Sequence, residues 1–283
     1  MTTTYPIPDL ASIAGHFHAK RALEVAACGG HNLALIGGPG HGKTLLAQAL
    51  IGLVPPREHD VPRPFVEGQE AIAWIEAALD GHTGQLGQAQ HGVLFLDRLD
   101  CFAYSALQIQ RVATVFDRVQ DVQMVLTAQP CPCGRYGDPI HECVCSAQLV
   151  QHHQQRMQAL MERVAITVEI PRLDYERLVD GRAQEGSDRV AARAREGAAR
   201  QQERFAGSPI TRNAEMDHAQ ILRWCAMDDS AQKLYKAACQ QLHFSGRTAD
   251  DVLAVARTIA DLATSDRIQA NHVAEAVAYR PHW

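Results

Sequence analysis

The octet Gly37-Gly38-Pro39-Gly40-His41-Gly42-Lys43-Thr44 sets four glycines in front of a lysine and a hydroxyl. Its spacing is G-x-x-x-x-G-K-[ST], a loop whose backbone N–H groups cradle phosphates while the lysine and the hydroxyl serve the outer phosphates and Mg²⁺. The ligand this implies is ATP with Mg²⁺, bound by Gly38, Pro39, Gly40, His41, Gly42, Lys43 and Thr44. A second reactive group is Asp97, which closes the apolar run Val93-Leu94-Phe95-Leu96. An acid at the tip of such a strand lies beside the loop and holds Mg²⁺, directly or through water. The alternative is an acid that caps the next helix.

The residue after Asp97 is Arg98, where ATPases of this kind usually carry a glutamate that polarises the attacking water. A guanidinium cannot act as a general base, so the substitution leaves binding intact and counts against hydrolysis. Asp100 is the nearest substitute acid, displaced by two residues. Gln129, at the tip of a further apolar run, offers an amide to the γ-phosphate or its water, or else satisfies backbone groups.

Eight cysteines are present, and four of them cluster. Cys131-Pro132-Cys133 and Cys143-Val144-Cys145 frame a stretch with Gly134, Gly137 and Pro139. Four thiols on a hairpin-like loop surround Zn²⁺ tetrahedrally, and in a reducing compartment metal is favoured over a disulfide. His141 is a fifth candidate ligand; redox-active or unliganded thiols are the alternative. Cys28, Cys101, Cys225 and Cys239 are scattered, as buried small hydrophobes are.

These groups need elements to hold them. Asn32-Leu33-Ala34-Leu35-Ile36 reads as a buried strand feeding the loop, and Leu45-Leu46-Ala47-Gln48-Ala49-Leu50 as the helix whose N-terminus faces the phosphates. A helix is expected over 18–29, stopped by Gly29-Gly30. Pro55-Pro56 ends the helix behind the loop. Residues 55–68 read as a loop with at most an edge strand at Phe65-Val66, followed by helices over 69–79 and 105–118. A strand over 124–128 precedes Gln129, a polar helix covers 148–162, and Val164, Ile166, Val168 and Ile170 alternate along a last strand. The arginine-rich stretch 189–204 reads first as a solvent-facing connecting helix and second as a nucleic-acid patch. Beyond Asn213 helices are expected over 215–225, 231–242, 248–263 and 271–279, with Ser245-Gly246-Arg247 joining two of them. The fold class is therefore α/β: a phosphate-loop core with a parallel sheet sandwiched by helices, followed by an all-helical lid domain. The expected division is 1–172 for the core with its cysteine loop at 131–145, 173–212 for a helical linker and 213–283 for the lid.

Composition sets the bounds. With 283 residues, 46% hydrophobic content and a net charge of −5, the chain has enough material for a full core and lacks the basic excess of a whole-surface nucleic-acid binder. No apolar run approaches the roughly 18 residues of a membrane span, and the first residues lack the charged and apolar regions of a signal peptide. A cytoplasmic protein without membrane contact is expected.

Several stretches together carry a family resemblance: Ala19-Lys20-Arg21-Ala22-Leu23-Glu24-Val25-Ala26-Ala27 with Gly29-Gly30-His31-Asn32, the phosphate loop, Gly92 to Asp97, and Pro130-Cys131-Pro132-Cys133-Gly134. Val168-Glu169-Ile170-Pro171, Asn213-Ala214-Glu215-Met216 and Val255-Ala256-Arg257-Thr258-Ile259-Ala260-Asp261-Leu262 extend it over most of the chain. The chain resembles a magnesium-chelatase-like AAA+ ATPase of the ComM/YifB type. The resemblance implies that Lys43 and Thr44 are phosphate and Mg²⁺ ligands and that Asp97 is the metal-supporting acid. Gln129 falls at the sensor asparagine of the family's Asn-Pro-Cys-Pro-Cys motif. Arg163 matches the arginine of its Leu-Asp-Arg-Ile-Asp stretch, which in such assemblies reaches a neighbour's γ-phosphate, and Arg247 matches the lid arginine. A homo-oligomer follows, a hexameric ring or a helical assembly.

Departures from the pattern matter as well. Arg98 replaces the glutamate and Gln129 the asparagine, the segment between Leu99 and Met124 is too short for the family's inserted hairpin and helix, and the Lon-protease-like N-terminal domain of ComM/YifB proteins is expected to be absent. The expected function is an ATP-gated scaffold or regulator that assembles through shared nucleotide sites, with weak hydrolysis. The alternative is a working motor that remodels DNA or a protein partner; a chelatase-type partner that helps insert a metal ranks last.

Overall fold

The computed structural model describes residues 7–55, 92–101, 122–179 and 184–280. Strands β1 (Leu33–Gly37), β2 (Val93–Leu96) and β3 (Gln123–Ala128) are buried at every position. Strands apolar on both faces belong inside a parallel sheet covered by helices on each side. The sheet found has that form: with β4 (Ile166–Ile170), the strands lie parallel in the order β2-β3-β1-β4.

Side chains alternate along a strand, so each strand feeds two cores. Ala34, Ile36, Leu94, Leu96, Met124 and Leu126 meet Met157, Leu160 and Met161 of the helix that follows the cysteine loop. Leu33, Leu35, Phe95, Val125, Ile166 and Val168 belong to the opposite core, with helix α1 (Phe17–Gly29) and helix α2 (Lys43–Leu53). The helix after the cysteine loop is α3 (Ala147–Met161), capped by Ser146, which accepts from the Leu149 N–H. In β4 only Glu169 is exposed, and the Thr167 N–H donates to the Tyr279 carbonyl at 2.8 Å, so the C-terminal segment covers this edge.

Past the short helix α4 (Tyr175–Leu178), the chain is helical: α5 (Ser187–Arg204), α6 (His218–Trp224), α7 (Asp229–Gln241), α8 (Gly246–Leu262) and α9 (Ala270–Ala278). The expected α/β core and helical C-terminal region are both present.

Three expectations are corrected. The arginine-rich helix is not a solvent-facing connector: Val190, Ala191, Ala194, Gly197 and Gln201 are buried, and α5 packs on α1, α2 and α8. Two of its arginines hold structural pairs, Arg193 with Glu24 at 2.5 Å and Glu185 at 2.6 Å, and Arg204 with Asp261. Helix α6 begins at His218 rather than 215, because Asp217 and Gln220 form a reciprocal cap with bonds of 2.8 and 2.9 Å. Ser245 caps α8 by accepting from the Thr248 N–H at 3.2 Å, which puts Arg247 in a helix's first turn rather than in a joint. The edge strand at 65–66, the helices at 69–79 and 105–118, and the shortened insert lie outside the described residues. Among the described residues no helix is long and apolar enough to cross a membrane.

Candidate nucleotide and metal sites

Sheet order decides what meets at the phosphate loop. β3 lies between β2 and β1, so Asp97 and Gln129 leave the sheet at the same edge as Gly37. Gly40 and Gly42 adopt φ of 76° and 88°, which only glycine takes readily, and Gly42 opens α2 so that its N-terminus begins at Lys43.

Lys43 is buried, and its Nζ donates to the carbonyls of Gly37 at 2.8 Å and Gly38 at 2.7 Å. Burial pulls its pKa below the usual lysine range, and the Asp100 and Asp97 carboxylates oppose that pull. Thr44 Oγ1 donates to Asp97 Oδ1 at 3.2 Å, so the hydroxyl and carboxylate that a Mg²⁺–nucleotide needs are side by side. Thr127 Oγ1 donates to the same oxygen at 2.6 Å and accepts from the Arg98 N–H at 2.8 Å. Thr127 was not singled out from sequence; its signal is a hydroxyl inside an otherwise apolar strand. Arg98 sits at φ 52° with an exposed side chain. Asp100 Oδ1 accepts from the Gln129 N–H at 3.0 Å, and the Gln129 carbonyl accepts from His153 Nε2 at 3.0 Å, so the tips of β2 and β3 are tied to α3.

The cysteine loop converges as its spacing implies. Cys131, Cys133, Cys143 and Cys145 place their sulfurs within 4.8 Å of one another, and three of these pairs stand 3.4 to 3.7 Å apart. Thiolates at about 2.3 Å from a tetrahedral zinc are separated by roughly 3.8 Å, so the donor set fits Zn²⁺. The Tyr136 N–H donates to Cys131 Sγ at 3.3 Å, the kind of outer contact that steadies a ligating thiolate. His141 is not part of the cluster; its Nδ1 turns to Asp138 Oδ1, 3.6 Å away.

Arg163 and Arg247 are not brought to this edge. Arg163 precedes β4, whose register pairs Ile166 with Leu33 and Ile170 with Gly37, so Arg163 stands at the sheet edge opposite the loop. A strand of this length separates the two edges by roughly 15 Å. Arg163 is fixed there by Nη1 donating to the Ala159 carbonyl at 2.7 Å, while its own carbonyl accepts from Asn32 Nδ2 at 2.9 Å. Arg163 and Arg247 line one cavity of about 570 Å³ together with His31, Arg212 and Asp251. Burial raises the Asp251 carboxyl to about 6, against the lowering pull of Arg280 and Arg247.

A parallel sheet with a phosphate-loop motif at one edge and a helical C-terminal region is the architecture of an AAA+ core and lid. The chain matches the family model described as "Magnesium chelatase, subunit ChlI" over residues 9–63 and 61–178, and "Magnesium chelatase, subunit ChlI C-terminal" over 184–280. It belongs to this magnesium-chelatase-like AAA+ family, in its ComM/YifB branch. It is 30% identical over 311 residues to the competence protein ComM of Haemophilus influenzae, a match covering 96% of this chain and 60% of the relative. It is 28% identical over 309 residues to the uncharacterized protein YifB of Escherichia coli K12, again covering 96% and 60%. The chain thus spans about 60% of the length of these curated relatives. Each match is longer than the part of this chain it uses, so the relatives hold segments there without a counterpart here.

Proposed function

We propose that the protein binds ATP and Mg²⁺ through Gly38 to Thr44 and Asp97, and assembles with copies of itself through nucleotide sites shared between neighbours. It then serves in the cytoplasm as an ATP-gated scaffold or regulator, with slow hydrolysis. The observation that carries this reading is the placement of Arg163 and Arg247 in one cavity, at the sheet edge opposite Lys43 and Thr44. Guanidinium groups there are out of reach of phosphates on their own loop. In a ring or helical assembly of like-oriented copies they meet the phosphates of the next subunit, and the site is complete only at that contact. In this reading residues 1–172 hold the nucleotide, residues 213–283 form the lid, and α5 braces one against the other. Slow hydrolysis rests on Arg98, a guanidinium where a general base is needed. The four thiolates hold a structural zinc.

Mass measurement with and without ATP tests the reading. The unmodified chain is expected to assemble with ATP, while Lys43→Ala and Arg163→Ala stay small and phosphate release remains near background. Assembly of Arg163→Ala equal to the unmodified chain contradicts the shared site. Brisk turnover that vanishes in Lys43→Ala contradicts slow hydrolysis.

The intact Thr44–Asp97 pair favours a second reading, a working motor that remodels DNA or a protein partner. Its signature is DNA binding that weakens steeply with salt, through counterion release, and that stimulates turnover.

A further inference from the structure

The cysteine loop and the phosphate loop touch at three places. Gly134, at φ 72°, lies so close that an added Cβ would stand 2.7 Å from Gln129 Oε1 and 2.7 Å from Pro39 Cδ. A Cβ on Gly38 would stand 2.9 Å from the Gly134 carbonyl oxygen. The third contact is between charged and titratable side chains: Asp138 Oδ2 lies 3.9 Å from His41 Nε2, with both side chains almost wholly buried. His41 Nε2 is enclosed and has no hydrogen-bond partner among the described residues. Its other nitrogen, Nδ1, stands 3.2 Å from the Gly38 N–H and 2.9 Å from the Ile170 carbonyl, so the imidazole spans the phosphate loop and the end of β4.

Asp138 is held from within its own loop and from the segment that follows β4. Its Oδ1 accepts from the N–H groups of Ile140 at 2.8 Å and His141 at 3.0 Å, and Arg172 Nε reaches Oδ2 at 3.4 Å. Its position depends on the two ends of the cysteine loop staying together, because Asp138 lies between Cys133 and Cys143 and those sulfurs are 3.6 Å apart. An ion that binds all four thiolates removes the freedom of the intervening chain and fixes Asp138 against His41.

We infer that metal held by Cys131, Cys133, Cys143 and Cys145 sets the phosphate loop through Gly134 and the Asp138–His41 contact, so that zinc and nucleotide each strengthen the binding of the other. This rests on the reading of Gly38 to Thr44 as an ATP site. Asp138 and His41 are then positioning residues whose effect on the nucleotide depends on the metal. Linkage makes the effect reciprocal: the factor by which zinc tightens nucleotide equals the factor by which nucleotide tightens zinc. A merely structural zinc site remote from the loop leaves both factors at one.

The test uses the full chain and a fluorescent non-hydrolysable ATP analogue, titrated into zinc-loaded and chelator-stripped protein. A chromophoric chelator competes for zinc in the presence and absence of the analogue. Stripping is expected to weaken analogue binding at least about fivefold, the low end of ordinary coupling, and the analogue is expected to tighten zinc by the same factor. In Asp138→Asn both factors are expected to fall toward one with zinc content unchanged. Equal analogue affinity in loaded and stripped protein overturns the coupling and leaves the nucleotide site standing. A loaded protein that binds no analogue overturns both. If stripping unfolds the chain, zinc-loaded Asp138→Asn carries the test, and analogue affinity equal to that of the unmodified chain overturns the inference.

Discussion

At position 98 the chain carries a guanidinium beside Asp97, the acid proposed to support the metal, on a backbone at φ 52° that is costly for any side chain with a Cβ. The same peptide donates its N–H to Thr127 Oγ1 at 2.8 Å, so the geometry around Asp97 survives although the neighbouring base is missing. Arg98→Glu is therefore expected to raise phosphate release by about 10²-fold, the lower end of what a positioned general base supplies. No rise would show that the base is not what limits turnover. Lys43→Ala is expected to abolish ATP binding by titration, because Nζ is the buried cation closest to the loop carbonyls. The loop residues were legible in sequence because they are contiguous and their spacing is itself the chemistry. Thr127 and Asp138 were not legible, because their roles come from contacts with Asp97 and His41 that only the fold creates.

Helix α5 shows where periodicity misleads. Its buried stripe is Val190, Ala191, Ala194, Gly197 and Gln201, in which one valine carries little hydrophobic signal beside five arginines, and the stripe is read as a solvated face. Small residues are needed because α5 lies hard against α1: a Cβ at Gly197 would stand 2.5 Å from Cys28 Sγ. Gly197→Val is expected to cost about 1–3 kcal/mol by overpacking, measured by urea unfolding. The apolar strands were legible, since runs buried on both faces have few other uses.

A second test at this scale concerns His31, which follows α1 and sets Nε2 2.7 Å from Thr258 Oγ1 on α8. Burial, helped by Arg212, depresses its pKa to about 3. The unfolded histidine binds a proton from about pH 6.5 downward while the folded one does not, so its contribution to stability is complete above pH 6.5 and is lost as pH falls toward 3. His31→Gln is expected to remove about 1.4 kcal/mol per pH unit from the slope of unfolding free energy between pH 5 and 6, one proton's worth. An unchanged slope would mean that His31 is protonated in the folded chain.

Across the whole molecule, the two sets of candidate site residues stand on opposite edges of one sheet. Lys43, Thr44, Asp97 and Gln129 gather at the ends of β1, β2 and β3, and Arg163 and Arg247 line the cavity at the other edge. Spacing and strand-tip position singled out the first set and resemblance the second, but the sequence could not place them relative to one another, since the separation follows from strand direction and from the packing of α8. In the proposed reading, the half-site at each edge is completed by a copy of the same chain.

Mixing two defective variants tests that claim most directly. Lys43→Ala lacks the nucleotide and keeps Arg163; Arg163→Ala keeps the nucleotide and lacks the reaching arginine. Each alone is expected to stay monomeric with ATP. The mixture is expected to form ATP-dependent dimers by mass photometry, one copy's arginine meeting the other's nucleotide. Monomers in the mixture, under conditions where the unmodified chain assembles, would contradict a site shared between neighbours.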